Sequence, residues 1–358
     1  MTASKVYLIK ASLTDGEDVL SQKAVTLFQK AGLARCFQKK DFTAVKVHVG
    51  EQGNTTYIKA PCLKGLIEEL QALGARPFTT DTATLYTGQR HNAVDHTVLA
   101  DQRGFSVSGL GVPFISPDGL FGTSETAVAI PGVLHEEVLI AYDIVRCQSL
   151  LSVAHFTGHV AAGAGATLKT LGMGCASRKG KMRQHAALKP SIKATCVRCG
   201  QCVSYCPEHA IVLTETRAQI DPAKCIGCAE CVAMCRFNAV QYDWQQESET
   251  LQQGIAEHAL GAVRGKEGRC AFINFLISIT GDCDCFDRTD MPTVVADIGI
   301  AASTDPVALD KASMDLVERS GQAPLARIVG HPDLDPATQI RHAERIGLGS
   351  GSYELVEV

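Results

Sequence analysis

The stretch CVRCGQCVSYCP at residues 196–207 is followed by CIGCAECVAMCR at residues 225–236. Both runs place four cysteines at the spacing C-x2-C-x2-C-x3-C, and the second run begins 29 residues after the first. Thiolates are soft anionic ligands that suit iron–sulfide cubes, and two-residue gaps let a short turn direct three sulfurs at one cube. This spacing therefore predicts two 4Fe-4S clusters.

The fourth cysteine of each run is expected to ligate the cube of the other run. On this rule, the ligands of the first cluster are Cys196, Cys199, Cys202 and Cys235. The ligands of the second cluster are Cys206, Cys225, Cys228 and Cys231. Because the two runs are then one supersecondary unit used twice, they predict a ferredoxin-type domain with two 4Fe-4S clusters at residues 191–244.

Two other uses of paired cysteines fit this sequence less well. A disulfide framework needs an oxidising compartment and is usual in short secreted chains. Zinc sites also use C-x2-C pairs, but each site takes four ligands of its own instead of interlocked sets of three plus one. Fifteen cysteines without a recognisable signal peptide predict a cytoplasmic location, where thiols stay reduced.

The composition is that of a soluble globular protein. The chain has 358 residues, of which 46% are hydrophobic and 20% are charged, so it can bury a sizeable core and form more than one domain. A net charge of −4 argues against nucleic acid as a partner. The longest apolar run, Ala271–Ile279, is too short to cross a membrane, so we expect no membrane insertion.

Outside the cysteine runs, apolar strand patterns alternate with amphipathic helical patterns. The predicted strands are Val6–Ile9, Ala44–Val49, Phe78–Thr80, Val138–Ile144, Leu150–His155, Arg269–Ile279 and Thr293–Ile300. The predicted helices are Leu20–Phe37, Ile58–Leu73, Asn92–Ala100, Ser248–Val263 and Asp305–Glu318. This alternation predicts an α/β fold with a mostly parallel sheet and helices on its faces, interrupted by the ferredoxin-like insert.

The strand and helix pattern begins before the cysteine runs and resumes after them. Neither junction is a long linker rich in glycine, serine or proline. The simplest organisation is therefore a single discontinuous α/β domain, residues 1–190 and 245–358, with the insert at 191–244. Three separate domains in series are the alternative.

The densest polar segment of the α/β frame is HFTGHVAAGAGATLKTLGMGCASRKGKMRQH at residues 155–185. Its small residues let a ligand approach the backbone closely. Its cations are Lys169, Arg178, Lys179, Lys181 and Arg183. The segment therefore favours an anionic ligand such as a phosphate or carboxylate, whereas the alternative is a tight helix entry with a solvated basic face.

A second candidate site is the sequence Cys283-Asp284-Cys285. Two cysteines one residue apart suggest part of an additional metal site, for which Cys175 is a candidate third ligand together with Cys270 and the histidines. The alternative is a pair of buried free thiols. Carboxylates and basic residues near predicted strand ends are further candidates for a cleft lining, where α/β ligand sites form. They are Lys46, His48, Glu51, Asp81, Asp297, Asp305 and Asp310.

Nearly the whole chain resembles a prokaryotic family known as domain of unknown function 362, often described as iron–sulfur centre proteins. The segments that carry the resemblance are VKVHVGE (45–51), TDTATLY (80–86), NAVDH (92–96), residues 155–185, the cysteine runs, CDC (283–285) and VADIGIAASTDPVALDKAS (295–313). The family description names iron–sulfur centres and implies no particular reaction.

The segment from His159 to His185 also resembles, more distantly, the cofactor-holding stretch of nickel-pincer lactate racemases. There a histidine precedes a lysine by ten positions and a second histidine follows it by sixteen, and His159, Lys169 and His185 match both spacings. The resemblance implies an acid/base role for His159, attachment of the pincer nucleotide to Lys169 and nickel ligation by His185. The racemases lack ferredoxin clusters, so shared ancestry of fold need not mean shared chemistry. The counterpart of their further catalytic histidine is open among His48, His91 and His96.

Three functions follow from these features. In the first, the two clusters relay single electrons between a redox partner protein or small-molecule acceptor and a ligand site in the α/β domain, which makes the protein a ferredoxin-linked oxidoreductase. Only ten residues separate His185 from Cys196, which favours such a relay. In the second, the clusters are structural in a non-redox metal-cofactor enzyme of racemase or isomerase type. In the third, the chain is a ligand-binding carrier without turnover.

Overall fold

The structure, a computed structural model, describes residues 3–185, 189–242 and 248–358. The strands in chain order are β1 (Ser4–Lys10), β2 (Phe42–Lys46), β3 (Arg76–Thr80), β4 (Phe114–Ile115), β5 (Glu125–Ala129), β6 (Glu137–Ala141), β7 (Ser149–His155), β8 (Thr157–His159), β9 (Gly163–Gly165), β10 (Pro190–Ile192), β11 (Ile211–Leu213), β12 (Ala218–Ile220), β13 (Val240–Tyr242), β14 (Cys270–Leu276), β15 (Gly299–Ser303) and β16 (Tyr353–Glu357). The helices are α1 (Glu17–Lys30), α2 (Lys64–Ala72), α3 (Ala93–Gln102), α4 (Val107–Leu110), α5 (Tyr142–Arg146), α6 (Thr167–Gly172), α7 (Arg178–Gln184), α8 (Gln201–Ser204), α9 (Glu230–Met234), α10 (Ser248–Val263), α11 (Pro306–Gly321), α12 (Leu325–Ile328) and α13 (Thr338–Arg345).

A central sheet of eight strands has the order β16-β1-β15-β14-β7-β2-β3-β4. Its neighbouring strands are parallel except around β15, which is antiparallel to both β1 and β14. The predicted α/β fold with a mostly parallel sheet is therefore confirmed. Strands that precede the cysteine runs pair directly with strands that follow them, since β7 lies beside β14 and β1 beside β15.

The sheet is covered by helices on both faces. Every residue of β7 is buried, as expected for a strand with no solvent-facing side. Leu150 belongs to the apolar cluster on one face, with residues of α6, α10 and α11. Leu151 belongs to the cluster on the other face, with residues of α1, α2 and α3. Because both faces are packed, the strand ends and their loops are the parts of the sheet that can carry a site.

The boundaries of two helices follow local signals in the sequence. The carboxylate of Asp305 accepts hydrogen bonds from the N–H groups of Val307 and Ala308 at 2.9 and 3.1 Å, so it caps α11 as an N-cap residue does. Helix α1 ends at Lys30, before the predicted end at Phe37. Gly32 then adopts a left-handed conformation with φ of 64°, which ends the helical path.

Two of the predicted strands differ from the structure. The run predicted at Val138–Ile144 leaves the strand conformation after Ala141, and β6 pairs with β5 in a separate hairpin instead of joining the central sheet. The run predicted at Thr293–Ile300 contributes only its last two residues, to β15. Val294 and Val295 still pack against the core from a loop, and apolar content alone does not distinguish these arrangements.

Residues 189–242 form a small unit, named here the cysteine module. Strand β10 pairs with β13 and β11 pairs with β12, both antiparallel. The backbone repeats with the 29-residue period of the cysteines, because α8 begins at Gln201 and α9 at Glu230. Residues with left-handed conformation recur at the same period, as the pairs Arg198/Gly227, Gly200/Ala229 and His209/Asn238. The predicted end of this domain at residue 244 lies outside the described residues.

No helix in the described part of the chain is both long and apolar enough to span a membrane.

Candidate functional site

Polar side chains gather where four neighbouring parallel strands end. Lys46 and His48 lie at and just beyond the end of β2, Asp81 follows β3, His155 ends β7, and the loop after β14 carries residues 283–285. The loops beyond the carboxyl ends of parallel strands are the usual place for ligand sites in α/β proteins. The sheet order β14-β7-β2-β3 therefore brings these distant segments to one edge.

The Cys283-Asp284-Cys285 segment is held by its central carboxylate. Asp284 accepts hydrogen bonds from Nδ1 of His155 at 2.8 Å and from Oγ1 of Thr56 at 2.6 Å. Nε2 of His155 donates to the carbonyl of Ile277 at 2.9 Å, so both ring nitrogens are donors and the ring is a cation. Burial alone would lower the pKa of His155 and raise that of Asp284, but their pairing reverses both effects. It raises the pKa of His155 and lowers the pKa of Asp284 to about 2.

Cys285 lies among hydrogen-bond donors. Its Sγ is 3.5 Å from Nε2 of His48 and 3.8 Å from Nζ of Lys169. Nδ1 of His48 accepts the N–H of Gly50 at 2.9 Å, so in the neutral ring Nε2 carries the proton and faces the sulfur. A hydrogen bond from Cys283, followed by Lys169 and His48, lowers the pKa of Cys285 well below its ordinary value although burial opposes this.

Cys283 is the protonated member of the pair. The hydrogen bond with Cys285 and burial both raise the pKa of Cys283 well above its ordinary value. The two residues therefore form a thiol beside a thiolate. Burial would lower the pKa of Lys169, but the two cysteines outweigh it and raise that pKa, so the ammonium group stays charged next to the thiolate.

Lys169 is positioned by helix α11, which packs with α6 on the same face of the sheet. The carboxylate of Asp310 on α11 accepts hydrogen bonds from the N–H groups of Thr167 and Leu168 at 3.0 and 2.7 Å, which fixes the first turn of α6. Asn274 on β14 donates to the same carboxylate at 2.8 Å. Burial raises the pKa of Asp310 to about 6.

His159 lies on the hairpin formed by β8 and β9. Its Nδ1 accepts hydrogen bonds from the N–H groups of Ala161 and Ala162 at 3.1 and 3.0 Å, so Nε2 carries the proton of the neutral ring. Burial and then the charge of Lys169 lower the pKa of His159 well below its ordinary value, and His185 contributes to the same effect. The three residues that match the racemase spacing therefore lie in one neighbourhood. Cys283, Cys285, His48, Lys169 and His159 are named here the thiol site.

The hairpin approaches the cysteine loop through a glycine. The N–H of Gly158 donates to the carbonyl of Thr280 at 2.8 Å. A Cβ on Gly158 would lie 2.0 Å from the carbonyl oxygen of Gly281, so no other residue allows this approach without a backbone shift. The contact holds the segment that carries His159 against the loop that leads to Cys283.

A buried charged network adjoins the thiol site. Asp81 forms ion pairs with Lys46 at 2.9 Å and with Arg90 at 3.2 Å, and Arg90 also pairs with Glu51 at 3.2 Å. Burial opposes ionisation of Asp81, but Lys46 and Arg90 outweigh it and lower its pKa below the ordinary value. Arg90 also donates to the hydroxyl of Tyr86. Two buried carboxylates therefore face two buried cations, so each of the four charges has a partner of opposite sign.

The predicted third metal ligand, Cys175, has different surroundings. Its Sγ lies 3.8 Å from the carbonyl of Thr170, and its strongest charged neighbour is Lys46. Burial raises the pKa of Cys175 to about 12. Within residues 3–185, 189–242 and 248–358, no three His, Cys, Asp or Glu side chains are arranged to hold one metal ion. In these residues the structure therefore does not bring Cys175 together with Cys283 and Cys285 as one set of metal ligands.

The eight cysteines of the module fall into two groups. One group lines a small cavity, and its members are Cys196, Cys199, Cys202 and Cys235. The other lines a second small cavity, and its members are Cys206, Cys225, Cys228 and Cys231. In both groups the fourth cysteine comes from the other run, which is the grouping that the crossing rule predicts. Four soft donors around each cavity suit a 4Fe-4S cluster.

Backbone N–H groups are directed at several of these sulfurs. The N–H of Ala210 donates to Cys206 at 3.2 Å, and the N–H of Ala239 donates to Cys235 at 3.3 Å. The two bonds occupy equivalent places in the 29-residue repeat. Hydrogen bonds of this kind stabilise thiolate charge and help to set the reduction potential of a bound cluster.

One cysteine of the second group lies at the interface with the α/β frame. Cys231 is buried and packs in an apolar cluster with Val232 of the module and with Leu85 and Met182 of the frame. Cys196 and Cys202 of the first group also pack against this cluster. Cys199 of the first group is exposed, so Cys199 and Cys231 are the most open and the most enclosed of the eight cysteines.

A short series of contacts leads from this interface to the thiol site. The backbone of Val232 affects the pKa of His91, whose Nδ1 lies 3.3 Å from the carbonyl of Tyr86. Tyr86 in turn interacts electrostatically with Arg90 and Cys285. Sequence reasoning did not single out Tyr86 or Arg90. The only available signal was their place in the loop after β3, because their partners are distant in the chain.

Comparison with known proteins identifies a family and two solved structures of low similarity. A search of curated proteins gave no match. The lactate racemase apoprotein from Thermoanaerobacterium thermosaccharolyticum is similar at 10% identity and a TM-score of 0.39, covering 76% of this chain and 50% of that chain. A structural-genomics protein from Thermotoga maritima is similar at 10% identity and a TM-score of 0.44, covering 86% of this chain and 59% of that chain. The chain thus spans little more than half the length of these structures.

The profile of one family matches residues 43–315, which is most of the chain. The protein therefore belongs to the family described as Domain of unknown function (DUF362).

Proposed function

We propose that this protein is an iron–sulfur electron-transfer protein, in which two 4Fe-4S clusters relay single electrons to or from the thiol site of the α/β domain. The observation that carries the proposal is the grouping of eight cysteines around two cavities, with the fourth cysteine exchanged between the runs. Such donor sets suit one-electron iron–sulfur chemistry. On this proposal the protein is a ferredoxin-linked oxidoreductase of the cytoplasm.

The different surroundings of the two cysteine groups support a direction for the relay. The exposed Cys199 belongs to the group that an external redox partner, a protein or a small acceptor, can approach. Cys231 of the other group is buried in one apolar cluster with Leu85 and Met182 of the frame. Cys231 also interacts electrostatically with Cys202, so the two groups adjoin each other.

Metal analysis of protein purified without oxygen tests the first part of the proposal. We expect about eight iron and about eight sulfide ions per chain, as two cubanes require. A protein that folds normally and binds no iron under reconstituting conditions would contradict the proposal. The absence of nickel from the same sample would separate it from the racemase-like alternative.

Reduction measurements test the second part. After reduction with dithionite, we expect an EPR spectrum with the signals of two interacting cubanes, because Cys202 and Cys231 bring the two groups close together. Clusters that bind fully but cannot be reduced at accessible potentials would indicate a structural role, and the relay would then be rejected.

One observation favours a second function, a non-redox metal-cofactor enzyme of racemase or isomerase type. His159, Lys169 and His185 lie in one neighbourhood, since both other residues affect the pKa of His159. This alternative predicts stoichiometric nickel and a covalent modification of Lys169, visible by intact mass and peptide mapping. In the structure the amine of Lys169 instead contacts Cys285 at 3.8 Å, which supports a charge-pairing role for the lysine.

A further inference from the structure

We propose that Cys283 and Cys285 form a redox-active dithiol, which closes to an intramolecular disulfide by exchange with small-molecule disulfides. This inference deepens the proposed function, on which its place at the end of an electron relay rests. A dithiol and its disulfide differ by two electrons, and two one-electron clusters together can exchange that number. The dithiol chemistry itself depends only on the thiol site and on the loop that Asp284 anchors.

The first argument is the geometry of the loop. The side chain of Asp284 is tied to His155 and Thr56, at 2.8 and 2.6 Å, and this fixes the residue between the two cysteines. Cα atoms two residues apart lie roughly 5–7 Å from each other, which overlaps the range that a disulfide requires. Each of the two thiols shifts the pKa of the other, so their side chains lie close together. The S–S bond can therefore form without moving the anchor at Asp284.

The second argument is the surroundings of the attacking sulfur. Nζ of Lys169 and Nε2 of His48 lie 3.8 and 3.5 Å from Sγ of Cys285, and both can stabilise a thiolate. Cationic surroundings of this kind are what distinguish reactive cysteines from buried inert ones. Cys285 is only partly buried, and the loop continues into the exposed residues 286–290. Cys285 is therefore the less enclosed cysteine of the pair, next to an exposed loop.

The third argument is the contrast with other cysteines of the frame. They are buried, and the sulfurs of two of them donate to a backbone carbonyl: Cys147 to Ile144 at 3.1 Å and Cys270 to Lys266 at 3.6 Å. Burial raises the pKa of both thiols. Neither sulfur lies within hydrogen-bond distance of side-chain donors from two other residues, as that of Cys285 does.

The exchange reaction balances with the groups present. The Cys285 thiolate attacks one sulfur of a small disulfide, so the S–S bond of that molecule breaks, one thiolate leaves and a mixed disulfide forms. The sulfur of Cys283 then attacks Cys285, the second thiolate leaves, and the proton of Cys283 passes to it. Two electrons have moved from the cysteine pair to the small disulfide, which is reduced to one thiol and one thiolate. The reverse reaction reduces the pair.

The test equilibrates the full-length, anaerobically purified protein with mixtures of reduced and oxidised dithiothreitol. The protein is then denatured, alkylated and digested with chymotrypsin, which separates Cys270 from residues 283 and 285, and the mass of the peptide that contains these two residues is measured. We expect a single transition from two alkyl groups to none as the proportion of oxidised dithiothreitol rises. Two alkyl groups on this peptide at every ratio would overturn the inference.

Variants separate the pair from other thiols. In Cys285→Ser and, independently, Cys283→Ser, the remaining cysteine should show no transition of this kind. If one variant fails to fold, the other carries the comparison. Cys62→Ser is the matched control. Cys62 is buried in the apolar cluster packed by α1, α2 and α3, so its substitution should leave the transition unchanged.

The outcomes for the two proposals are distinguishable. Protein that binds about eight iron ions and reduces normally, but never forms the disulfide, would retain the proposed function and lose this inference. Protein without iron would lose the proposed function, whereas the peptide mass would still report on the cysteine pair. The iron content and the peptide mass are measured on the same preparation.

Discussion

The cysteine module and the thiol site gather their functional side chains in opposite ways. All eight cysteines of the module lie within residues 196–235, and short turns bring them around two cavities. The thiol site instead combines His48, Lys169 and Cys285, which meet only because β2, β7 and β14 are neighbours in the sheet. The module can therefore be recognised from spacing, whereas the thiol site depends on long-range packing.

The two regions also differ in the contacts that stabilise them. The module has few buried residues of its own, and its apolar cluster is completed by Leu85 and Met182 from the frame. The thiol site rests on a sheet with packed helices on both faces and on the buried pair of His155 and Asp284. We therefore expect metal loss to affect the module far more than the frame. Four experiments test this difference.

The largest effect is expected from Cys231→Ala, which removes one donor of the inner group. Iron content should fall from about eight to about four ions per chain or less, because each cubane needs its four thiolates. Iron and sulfide analysis measures this, and Cys62→Ala serves as the control for removing a buried cysteine elsewhere. Retention of all iron in Cys231→Ala would show that the grouping of the eight cysteines is not a ligand set.

The next largest effect is expected from His155→Gln in the frame. Loss of the buried cation leaves Asp284 unpaired and should reduce the free energy of unfolding by about 3–5 kcal/mol. The matched control is His331→Gln, which breaks a more exposed pair with Asp282 and should cost less than about 1 kcal/mol.

The cost of His155→Gln should depend on pH. The raised pKa of His155 means that its contribution is complete below the ordinary value of 6.5 and is lost as pH rises through the raised pKa. The pKa of Asp284 is lowered to about 2 from 3.8, so its contribution is present above 3.8 and is lost as pH falls toward 2. Urea unfolding should therefore show the largest difference near pH 5. An equal difference at pH 5 and pH 9 would argue against the ion pair.

A smaller effect is expected at the interface between the two regions. Leu85→Ala removes a buried side chain that packs against the module and should cost about 2–3 kcal/mol of local stability. Hydrogen exchange should show lower protection in residues 189–242 and little change in β7 and β14. Thr87→Ala removes only an exposed hydrogen bond to Asn238 at 3.2 Å, so it should cost about 0.5 kcal/mol. Equal effects of the two changes would mean that apolar packing does not hold the module.

The smallest energetic effect is expected from Lys169→Gln. Loss of the neighbouring cation should raise the pKa of Cys285, so less thiolate is present near neutral pH and alkylation by iodoacetamide should slow roughly tenfold. The pH at which alkylation reaches half its maximum rate should move upward. Lys30→Gln is the control, because it removes the same charge from an exposed lysine on α1. An unchanged pH profile would separate Lys169 from the chemistry of Cys285.

Periodicity predicted most elements of the sheet because local sequence governs them. Strand β7 and helix α10 lie where the patterns of 150–155 and 248–263 indicated. The run at 138–144 shows the limit of this reasoning, since it is equally apolar but forms a hairpin with β5. Pairing partners are chosen by tertiary packing, and apolar content does not specify them.

The candidate site was predicted only in pieces. Lys169, His159 and His185 could be named from spacing, and Cys283 and Cys285 from their proximity in the chain. Their convergence with His48 was not visible, because residues 48, 169 and 285 are separated by more than a hundred positions each. For the same reason, Cys175 was a reasonable candidate ligand by type and proved to have separate surroundings.

The sequence by itself determined the two sets of four cysteines, the repeat that relates them and the α/β class of the frame. The cysteine sets and their repeat depend on the spacing of residues in the chain, and the α/β class depends on the periodicity of apolar residues. Both can be read from the sequence alone. Only the tertiary structure decided that Cys285 faces Lys169 and His48, that Asp284 anchors the loop through His155, and that Cys231 is turned toward the frame. Those contacts exist because a parallel sheet brings the ends of distant strands to one edge, and no local pattern records which ends will meet.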